Sequence, residues 1–230
     1  MCNFSLAVFN LCRKSFSLGK NKLKHLEELL SFSNTFQLRK DLKGRWNEVF
    51  QNSNPITLEL ACGKGEYTLA LARKFPQRNF IGIDIKGARI WRGAKTAIEE
   101  NISNVAFLRT YIDHLEEYFS SGEVDEIWIT FPDPYHEKSK ARKRLTSEKF
   151  LPRYKNILKR GGIIHLKTDD LLLYQFTIEK ISEFKCKIIF SCEDLYAGKL
   201  PDEILSEKTY YEQRHLAEGK TIKYIKFTLT

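Results

Sequence analysis

The sequence lacks the features that mark membrane proteins and disulfide-stabilised secreted domains. No apolar run approaches the roughly 20 residues that a membrane-spanning helix needs. The 5 cysteines are an odd number and contain no Cys-x-x-Cys pair, which argues against a disulfide framework and against a zinc site. We therefore expect no membrane association, no bound metal and a reducing compartment, the cytoplasm.

The chain also lacks internal repeats and linkers rich in Gly, Pro or Ser. Its 230 residues suffice for one sizeable domain, and we predict a single domain over residues 19–230. The apolar N-terminal stretch has its first basic residues, Arg13 and Lys14, after the apolar segment, whereas a signal peptide has them before it. For residues 1–18 we therefore predict a disordered or mis-started extension in preference to a targeting segment.

Acidic residues are too few to balance the basic ones. The 38 Lys and Arg residues against 29 Asp and Glu residues leave a formal net charge of +9. This excess suggests a polyanionic partner, most simply a nucleic acid, with a basic protein that has no such partner as the alternative. Five of the seven residues from 138 to 144 are basic: Lys138, Lys140, Arg142, Lys143 and Arg144. Their clustering favours nucleic acid, whose phosphates such cations bind largely without regard to sequence.

From Pro55 onward, short apolar runs alternate with helix-like segments. The runs predicted as strands are residues 56–60, 79–85, 105–108, 126–131, 162–168, 186–190 and 222–229. The predicted helices are residues 67–74, 88–101, 147–158 and 170–184, the third stopping at Gly161-Gly162, and residues 20–50 carry a further basic, helix-like pattern. This alternation predicts a Rossmann-like α/β fold, a doubly wound, mostly parallel seven-stranded sheet with an N-terminal helical extension. Ligands of such sheets bind outside the carboxyl ends of the strands.

The first predicted strand ends in a pattern typical of nucleotide-cofactor sites. Glu59 precedes a turn with Gly63 and Gly65, and Asp84 ends the second strand. Paired glycines let the backbone approach a ligand, and a carboxylate at the second strand end can accept both hydroxyls of a ribose. A dinucleotide fits poorly, because Thr68 stands where its third glycine belongs and Glu59 would repel a pyrophosphate. S-adenosylmethionine has no phosphate and bears a positive sulfonium and an ammonium, so acids at these two positions favour its binding. The alternative to a cofactor site is a tight turn beside a solvated Asp84.

The end of the third predicted strand is expected to supply a contact to the adenine of this cofactor. Asp113 is the acid available there. Asn104 and the backbone near Tyr111 and Ile112 are alternatives that the sequence leaves open.

The fourth predicted strand is followed by a lone carboxylate, Asp133, between Pro132 and Pro134. Each proline fixes its own φ and restricts the residue before it, so the carboxylate lies on a stiff backbone, as a catalytic or recognition group requires. The alternative is a rigid surface turn with a solvated Asp133. The sequence also resembles the amino-methyltransferase signature of Asp or Asn, two prolines and an aromatic residue, but a single proline precedes Tyr135.

Several motifs in order over residues 19–228 resemble those of the bacterial tRNA (guanine-N7-)-methyltransferase family (TrmB type). They read LELACGKGEYT from residue 58, NFIGIDIKG from 79, FPDPYHEKSKARKRLTSEKFL from 131, LKTDD from 166 and TYYEQR from 209. The resemblance implies a class I methyltransferase fold and transfer of a methyl group from S-adenosylmethionine to N7 of guanine 46 in the variable loop of tRNA. A monomer and a homodimer both remain open.

By position, the resemblance implies that Glu59, Asp84 and Asp133 line the cofactor pocket and that Asp133 is catalytic. It further implies that the target guanosine is held by Asp169, Thr209, Tyr210, Tyr211 and Glu212. Guanine N7 has a lone pair and no proton, so we expect Asp133 to accept hydrogen bonds from guanine N1–H and N2–H and to orient N7 toward the methyl group.

Two departures from the family pattern affect the substrate contacts. Tyr135 replaces the usual Trp, and Glu137 and Ser139 interrupt a basic segment that often reads Lys-x-Arg-His. The substrate-contacting lysine is therefore expected at Lys138. The residues expected on the tRNA backbone are Lys140, Arg142, Lys143 and Arg144. The rival functions are methylation of an exocyclic amine of DNA or RNA and RNA binding without catalysis.

Overall fold

The computed structural model describes residues 20–229. Within them the strands are β1 (Thr35–Gln37), β2 (Ile56–Leu60), β3 (Asn79–Asp84), β4 (Val105–Arg109), β5 (Val124–Thr130), β6 (Leu158–Thr168), β7 (Lys187–Cys192) and β8 (Lys223–Thr228). The α-helices are α1 (Lys20–Leu29), α2 (Trp46–Phe50), α3 (Glu66–Lys74), α4 (Gly87–Glu99), α5 (Leu115–Tyr118), α6 (Leu151–Ile157), α7 (Leu171–Glu183) and α8 (Tyr210–Ala217). Short 3-10 helices cover Lys40–Leu42, Ile112–His114, Lys138–Lys143 and Glu203–Ser206. The extension predicted for residues 1–18 lies outside the described residues.

All eight strands join one sheet in the order β1-β4-β3-β2-β5-β6-β8-β7. The pairs from β1 to β6 are parallel, whereas β8 runs antiparallel to both β6 and β7. After β4 the chain crosses back and places β5 beside β2, so the strand order reverses between those two strands. Open α/β sheets bind ligands at this switch point. The predicted Rossmann-like α/β class is confirmed, with eight strands in place of seven.

The additional strand lies in the segment whose pattern is helix-like. Between α1 and α2 the chain extends at Thr35–Gln37 and pairs with Phe107–Arg109 of β4. A strand of three residues is too short to show an alternating hydrophobic pattern in the sequence. β1 forms because the outer edge of β4 offers unpaired backbone groups, which only the folded sheet supplies.

The predicted helix stop at Gly161-Gly162 was wrong. α6 ends at Ile157, and β6 begins before the two glycines. Leu158 pairs with Val124 of β5, the next pair is Ile163 with Glu126, and Gly161 has a φ of +78° in the irregular stretch between them. The glycines therefore accommodate a bulge inside a strand, and pairing with β5 decides this local structure.

The sheet is covered on both faces, so its centre is inaccessible. β2 and β3 are buried along their whole length. One face packs Phe80, Phe107 and Trp128 under α3 and α4, and the other packs its aliphatic residues under α5, α6 and α7. The loops at the carboxyl ends of the strands are thus the parts of the sheet left for chemistry.

No helix in the described part of the chain is long and apolar enough to cross a membrane. No group of three or more His, Cys, Asp or Glu side chains there could hold a metal ion.

Candidate functional site

The loops after β2 and β5 lie side by side at the switch point, because the two strands are paired up to Leu60 and Ile129. Of the seven non-glycine residues with a positive φ in the described part of the chain, three lie in these loops: Ala61, Phe131 and Tyr135, with φ values of +57°, +47° and +44°. Residues with side chains adopt such angles at a cost, and strained residues gather at functional sites. We call residues 61–66, 131–137 and 169–170, which follow β2, β5 and β6, the carboxyl-edge site.

Asp84 and the glycine turn, predicted to share a cofactor site, meet in the structure. The Asp84 carboxylate accepts the N–H of Gly63 at 3.0 Å on one oxygen and the N–H of Lys86 at 2.8 Å on the other. Each oxygen keeps a further lone pair, enough for the two hydroxyls of a ribose. Gly63, at a φ of +59°, has no atom within 4 Å of where a Cβ would stand. Open space beside a carboxylate with free lone pairs has room for the nucleoside part of S-adenosylmethionine, whose contact with Asp84 stays a prediction.

The second glycine of the turn meets a packing requirement. A Cβ on Gly65 would stand 2.5 Å from the ring of Phe107, and its φ of +70° lies in the left-handed region. α3 begins directly after it. A side chain at this position would push the start of α3 off the sheet, so Gly65 shapes the turn while Gly63 borders the open space.

Glu59 is buried beneath the site, with 3% of its surface exposed. Its carboxylate accepts the Thr68 N–H at 2.8 Å and the Thr68 hydroxyl on one oxygen, and the Thr130 hydroxyl at 2.7 Å on the other. Burial raises the pKa of Glu59 to about 7, although these hydrogen bonds oppose the shift. The side chain therefore ties the first turn of α3 to the end of β5, and its direct contact with the cofactor stays a prediction.

Replacing Glu59 with glutamine should flatten the pH dependence of stability. The Glu59 carboxyl group has a pKa of about 7 in the folded protein and its ordinary value of 4.5 in the unfolded chain. Between these two pH values, the folded protein therefore binds more protons than the unfolded chain. The contribution of Glu59 to stability is therefore fully present below pH 4.5 and is lost as the pH rises through about 7, by about 3 kcal/mol. Urea unfolding at several pH values across this window should show the wild type losing more stability than Glu59→Gln. The exposed control Glu179→Gln should follow the wild type, and equal losses in the wild type and Glu59→Gln would contradict the expectation.

The candidates for the adenine contact lie at different ends of β4, and only its carboxyl end faces the candidate site. Asn104 was a wrong alternative: it precedes β4, at the amino end of the strand, and its Nδ2 donates to three backbone carbonyls at and after the end of α3. Asp113 lies beyond the carboxyl end, in a 3-10 helix, where it is ion-paired with Lys149. Asp113 and the backbone of Tyr111 and Ile112 stay as predicted contacts.

Asp133 is the acid whose oxygens are most available. It is exposed, and within the described residues its one hydrogen bond is a 3.3 Å contact in which Oδ1 accepts the N–H of Tyr135. The N–H of Phe131 donates to the carbonyl of Lys167 at 2.8 Å, which joins the start of the loop to the end of β6. A carboxylate with free acceptor positions on a fixed backbone can receive hydrogen bonds from a base.

Arg144 has a different role from the predicted contact with a phosphate. It is buried, with 5% of its surface exposed. Its guanidinium donates to the carbonyls of Pro134 at 3.0 Å and Tyr135 at 2.9 Å, and it lies 4.4 Å from the centre of the Phe176 ring. Its charge is directed inward at the loop that carries Asp133.

The other cations of the basic segment lie on the exposed 3-10 helix Lys138–Lys143. Lys140 pairs with Glu137 at 2.6 Å, and Arg142 lies 3.5 Å from Glu148. Exposed ion pairs of this kind contribute little to stability, so each cation can leave its carboxylate and bind a phosphate instead. Within the described residues, the side chains of the remaining two lysines of the segment, at positions 138 and 143, form no hydrogen bond or ion pair. They are the cations most available to a polyanion.

The start of α8 lies against the end of the glycine turn. The Oγ1 of Thr209 accepts a backbone N–H of the first turn of α8 at 3.2 Å, and the Tyr210 N–H donates to Glu66 at 2.8 Å. Tyr210 and Tyr211 are 59% and 50% exposed, with their rings in an edge-to-face arrangement. Exposed aromatic rings are suited to stacking on unpaired RNA bases.

Asp169 links the end of β6 to α8. Its carboxylate lies 3.3 Å from the Lys220 ammonium and 3.4 Å from Nδ1 of His215. The His215 ring in turn packs against Phe131, with 5.8 Å between ring centres. The structure therefore brings the loop of Asp133, Asp169 and α8 to one region, and their contacts with a guanosine stay a prediction.

Glu212 is the predicted guanosine contact that the structure turns inward. It forms a 2.7 Å ion pair with Lys167, and both side chains are fully buried. The Tyr196 hydroxyl donates to the same carboxylate at 2.6 Å. Burial lowers the pKa of Lys167, and the attraction of Glu212 opposes that shift. The pair anchors α8 to β6. The sequence signal that could have shown it is a lysine inside a strand predicted for a sheet that helices cover on both faces.

A glycine turn after one strand, an acid at the end of the next, and an exposed acid across the switch point define a class I methyltransferase. The solved 16S rRNA (adenine(1408)-N(1))-methyltransferase from Catenulisporales acidiphilia, a variant with its cosubstrate SAM, has this fold. Its TM-score is 0.59 and its identity 14%, with 84% of this chain and 92% of that chain covered. At this identity the likeness shows the fold alone.

Residues 53–225 match the model of a family described as "Putative methyltransferase". The tRNA (guanine-N(7)-)-methyltransferase of Christiangramia forsetii is 48% identical over 221 residues, 92% of this chain and 99% of that protein. The protein of the same name from Porphyromonas gingivalis is 53% identical over 190 residues, 82% of this chain and 77% of that protein. The chain belongs to the tRNA (guanine-N(7)-)-methyltransferase family, which confirms the resemblance of its motifs.

Proposed function

We propose that this protein transfers the methyl group of S-adenosylmethionine to N7 of a guanine in tRNA. The observation that carries the proposal is Asp133, an exposed carboxylate without a cationic partner in the described residues, on the loop beside the glycine turn. The names of the two relatives, at 48% and 53% identity, support guanine N7 and tRNA. Guanine 46 of the variable loop is the position that the family resemblance implies.

The chain's own residues fit the cofactor. Asp84 would accept the ribose hydroxyls, and Gly63 leaves room for the nucleoside. Asp113 or the backbone at Tyr111 and Ile112 would meet the adenine. When bound, S-adenosylmethionine supplies a methyl group on a positive sulfur, and the cofactor in the related fold from Catenulisporales acidiphilia supports this choice of donor.

Asp133 would act by recognition and electrostatics. N7 carries a lone pair and no proton, so the displacement needs no general base. By accepting hydrogen bonds from guanine N1–H and N2–H, Asp133 would orient N7 toward the methyl group and stabilise the positive charge that develops on the ring. A base that lacks this donor pair should be disfavoured by about 1–3 kcal/mol.

The surrounding residues would hold the rest of the nucleotide. Tyr210 and Tyr211 would stack on bases, and Asp169 would contact the target guanosine. Lys138 would meet the phosphate of the target nucleotide, and the cations on the tRNA backbone would be Lys140, Arg142 and Lys143. Glu212 would contribute by anchoring α8. We propose a cytoplasmic enzyme, monomeric or homodimeric, with tRNA as its partner.

The proposed function predicts the chemical identity of the product. Bulk tRNA is incubated with methyl-labelled S-adenosylmethionine and the protein, digested to nucleosides and analysed by mass spectrometry. We expect the label in N7-methylguanosine, at a single position when the tRNA is cleaved at the modified base. Label in N6-methyladenosine would indicate the exocyclic-amine reaction. Binding of tRNA without any transfer would indicate a non-catalytic RNA-binding protein.

A further inference from the structure

The loop that carries Asp133 has few means of holding its shape. Residues 132–137 lie outside any helix or strand, and the two prolines provide no N–H for hydrogen bonding. Phe131, directly before these residues, and Tyr135, among them, have positive φ angles. Each such residue costs of order 1–3 kcal/mol and persists only where its surroundings impose it.

Three contacts impose the loop conformation, and one of them is buried and bidentate. Phe131 is held at its N–H by β6. His136 is 67% exposed and lies 2.6 Å from Asp170, the capping residue of α7. The Arg144 fork spans the consecutive carbonyls of Pro134 and Tyr135 from a buried position. A planar guanidinium holds both oxygens at once, which a single-point donor does not.

Arg144 also ends the basic segment. It follows the 3-10 helix Lys138–Lys143 directly, and its own N–H donates to the carbonyl of Ala141 at 3.0 Å. Its guanidinium packs on Phe176 of α7. One residue therefore joins the helix that presents cations to the loop that presents Asp133.

We propose that Arg144 is a positioning residue that holds the Asp133 carboxylate in register with the cofactor turn and couples that position to the cationic 3-10 helix. A phosphate bound on Lys138 or Lys143 would then act on the same rigid unit that carries the recognition acid. This inference rests on the proposed function, in which Asp133 reads the guanine.

The test measures turnover of Arg144→Ala and Arg144→Lys with tRNA and labelled S-adenosylmethionine. We expect kcat of Arg144→Ala to fall by about 100-fold, the cost of a misplaced reacting group, with cofactor affinity by calorimetry unchanged. Arg144→Lys, which retains one donor, should be intermediate. Millimolar guanidinium, far below denaturing concentrations, should restore part of the activity of Arg144→Ala. Arg45→Ala, which removes an exposed arginine directly before α2, should keep the wild-type kcat.

A second measurement is independent of turnover. Hydrogen exchange in residues 131–137 should rise in Arg144→Ala while exchange in β2 and β5 stays at the wild-type level. Wild-type kcat or wild-type exchange in this loop would overturn the proposal, as would lost activity that guanidinium does not restore in a folded variant. If Arg144→Ala does not fold, Arg144→Lys decides: kcat and loop exchange at wild-type levels overturn the proposal. A wild-type protein that makes a different nucleoside would refute the proposed function and leave the exchange test of Arg144 intact.

Discussion

Replacing Asp133 with alanine should reduce turnover by about 1000-fold, the upper end of what one preorganised electrostatic group contributes. The guanine would lose both acceptors for N1–H and N2–H, and with them its orientation and the stabilisation of its developing positive charge. Affinity for tRNA should stay largely intact, because the cations of the basic segment supply it. The measurement is single-turnover methylation with saturating tRNA, together with a binding isotherm for tRNA.

One further variant separates the position of the acid from its charge, and a second variant serves as a control. Asp133→Asn keeps one acceptor and should remain strongly impaired, because its amide presents N–H groups to donors of the base. The control Glu179→Gln removes an exposed acid from α7, outside this loop, and should keep the wild-type rate. Since Asp133 is exposed and makes one weak hydrogen bond, thermal stability should not change. Near-normal turnover by Asp133→Ala would falsify its assignment.

The largest expected effect on stability comes from the Lys167–Glu212 pair. Replacing Lys167 with methionine leaves the Glu212 carboxylate buried without its cation, since both side chains are fully buried. Breaking a buried pair in this way should cost about 3–5 kcal/mol of unfolding free energy. Because the pair anchors α8, KM for tRNA should also rise through displacement of Tyr210 and Tyr211. Urea unfolding and steady-state kinetics measure the two effects.

A double-mutant cycle shows whether the loss comes from the unpaired charge. Lys167→Met combined with Glu212→Leu should recover most of the stability, because an apolar pair of similar volume replaces a desolvated ion pair. The exposed pair Arg73–Glu100, at 2.5 Å, is the control, and Arg73→Met should cost less than about 1 kcal/mol. A loss in Lys167→Met no larger than that of the surface control would count against the anchoring role.

The cofactor half of the site could be predicted from sequence because its signals are contiguous. A strand, a turn with Gly63 and Gly65, and a second strand ending in Asp84 form one local unit, and parallel pairing of the two strands brings the acid to the turn. The position of Asp133 could be predicted in part, since the prolines on either side of it restrict its backbone; the contacts from Arg144 and β6 that hold the rest of its loop could not.

The roles of individual charged residues could not be predicted in this way. Arg144 and Lys143 are neighbours in the same basic run, yet one is buried on two carbonyls and the other is exposed. Glu212 follows two exposed tyrosines and is itself buried against Lys167, 45 residues away in sequence. The identity of a charged residue does not show whether a side chain or carbonyl from another helix, strand or loop will bind it in the folded protein.

The sequence by itself determined the order of strands β2 to β8 and of helices α3, α4, α6 and α7, the glycine turn with its acid, the prolines that flank Asp133 and the family, because each of these features is encoded in a short stretch or in a series of such stretches. The tertiary structure alone decided that β1 forms, that the glycines at 161 and 162 lie in a bulge, and that Glu59, Arg144 and Glu212 point inward. Those features depend on desolvation and on partners distant in sequence. The free energy of a charge is set by the environment that the whole fold builds around it.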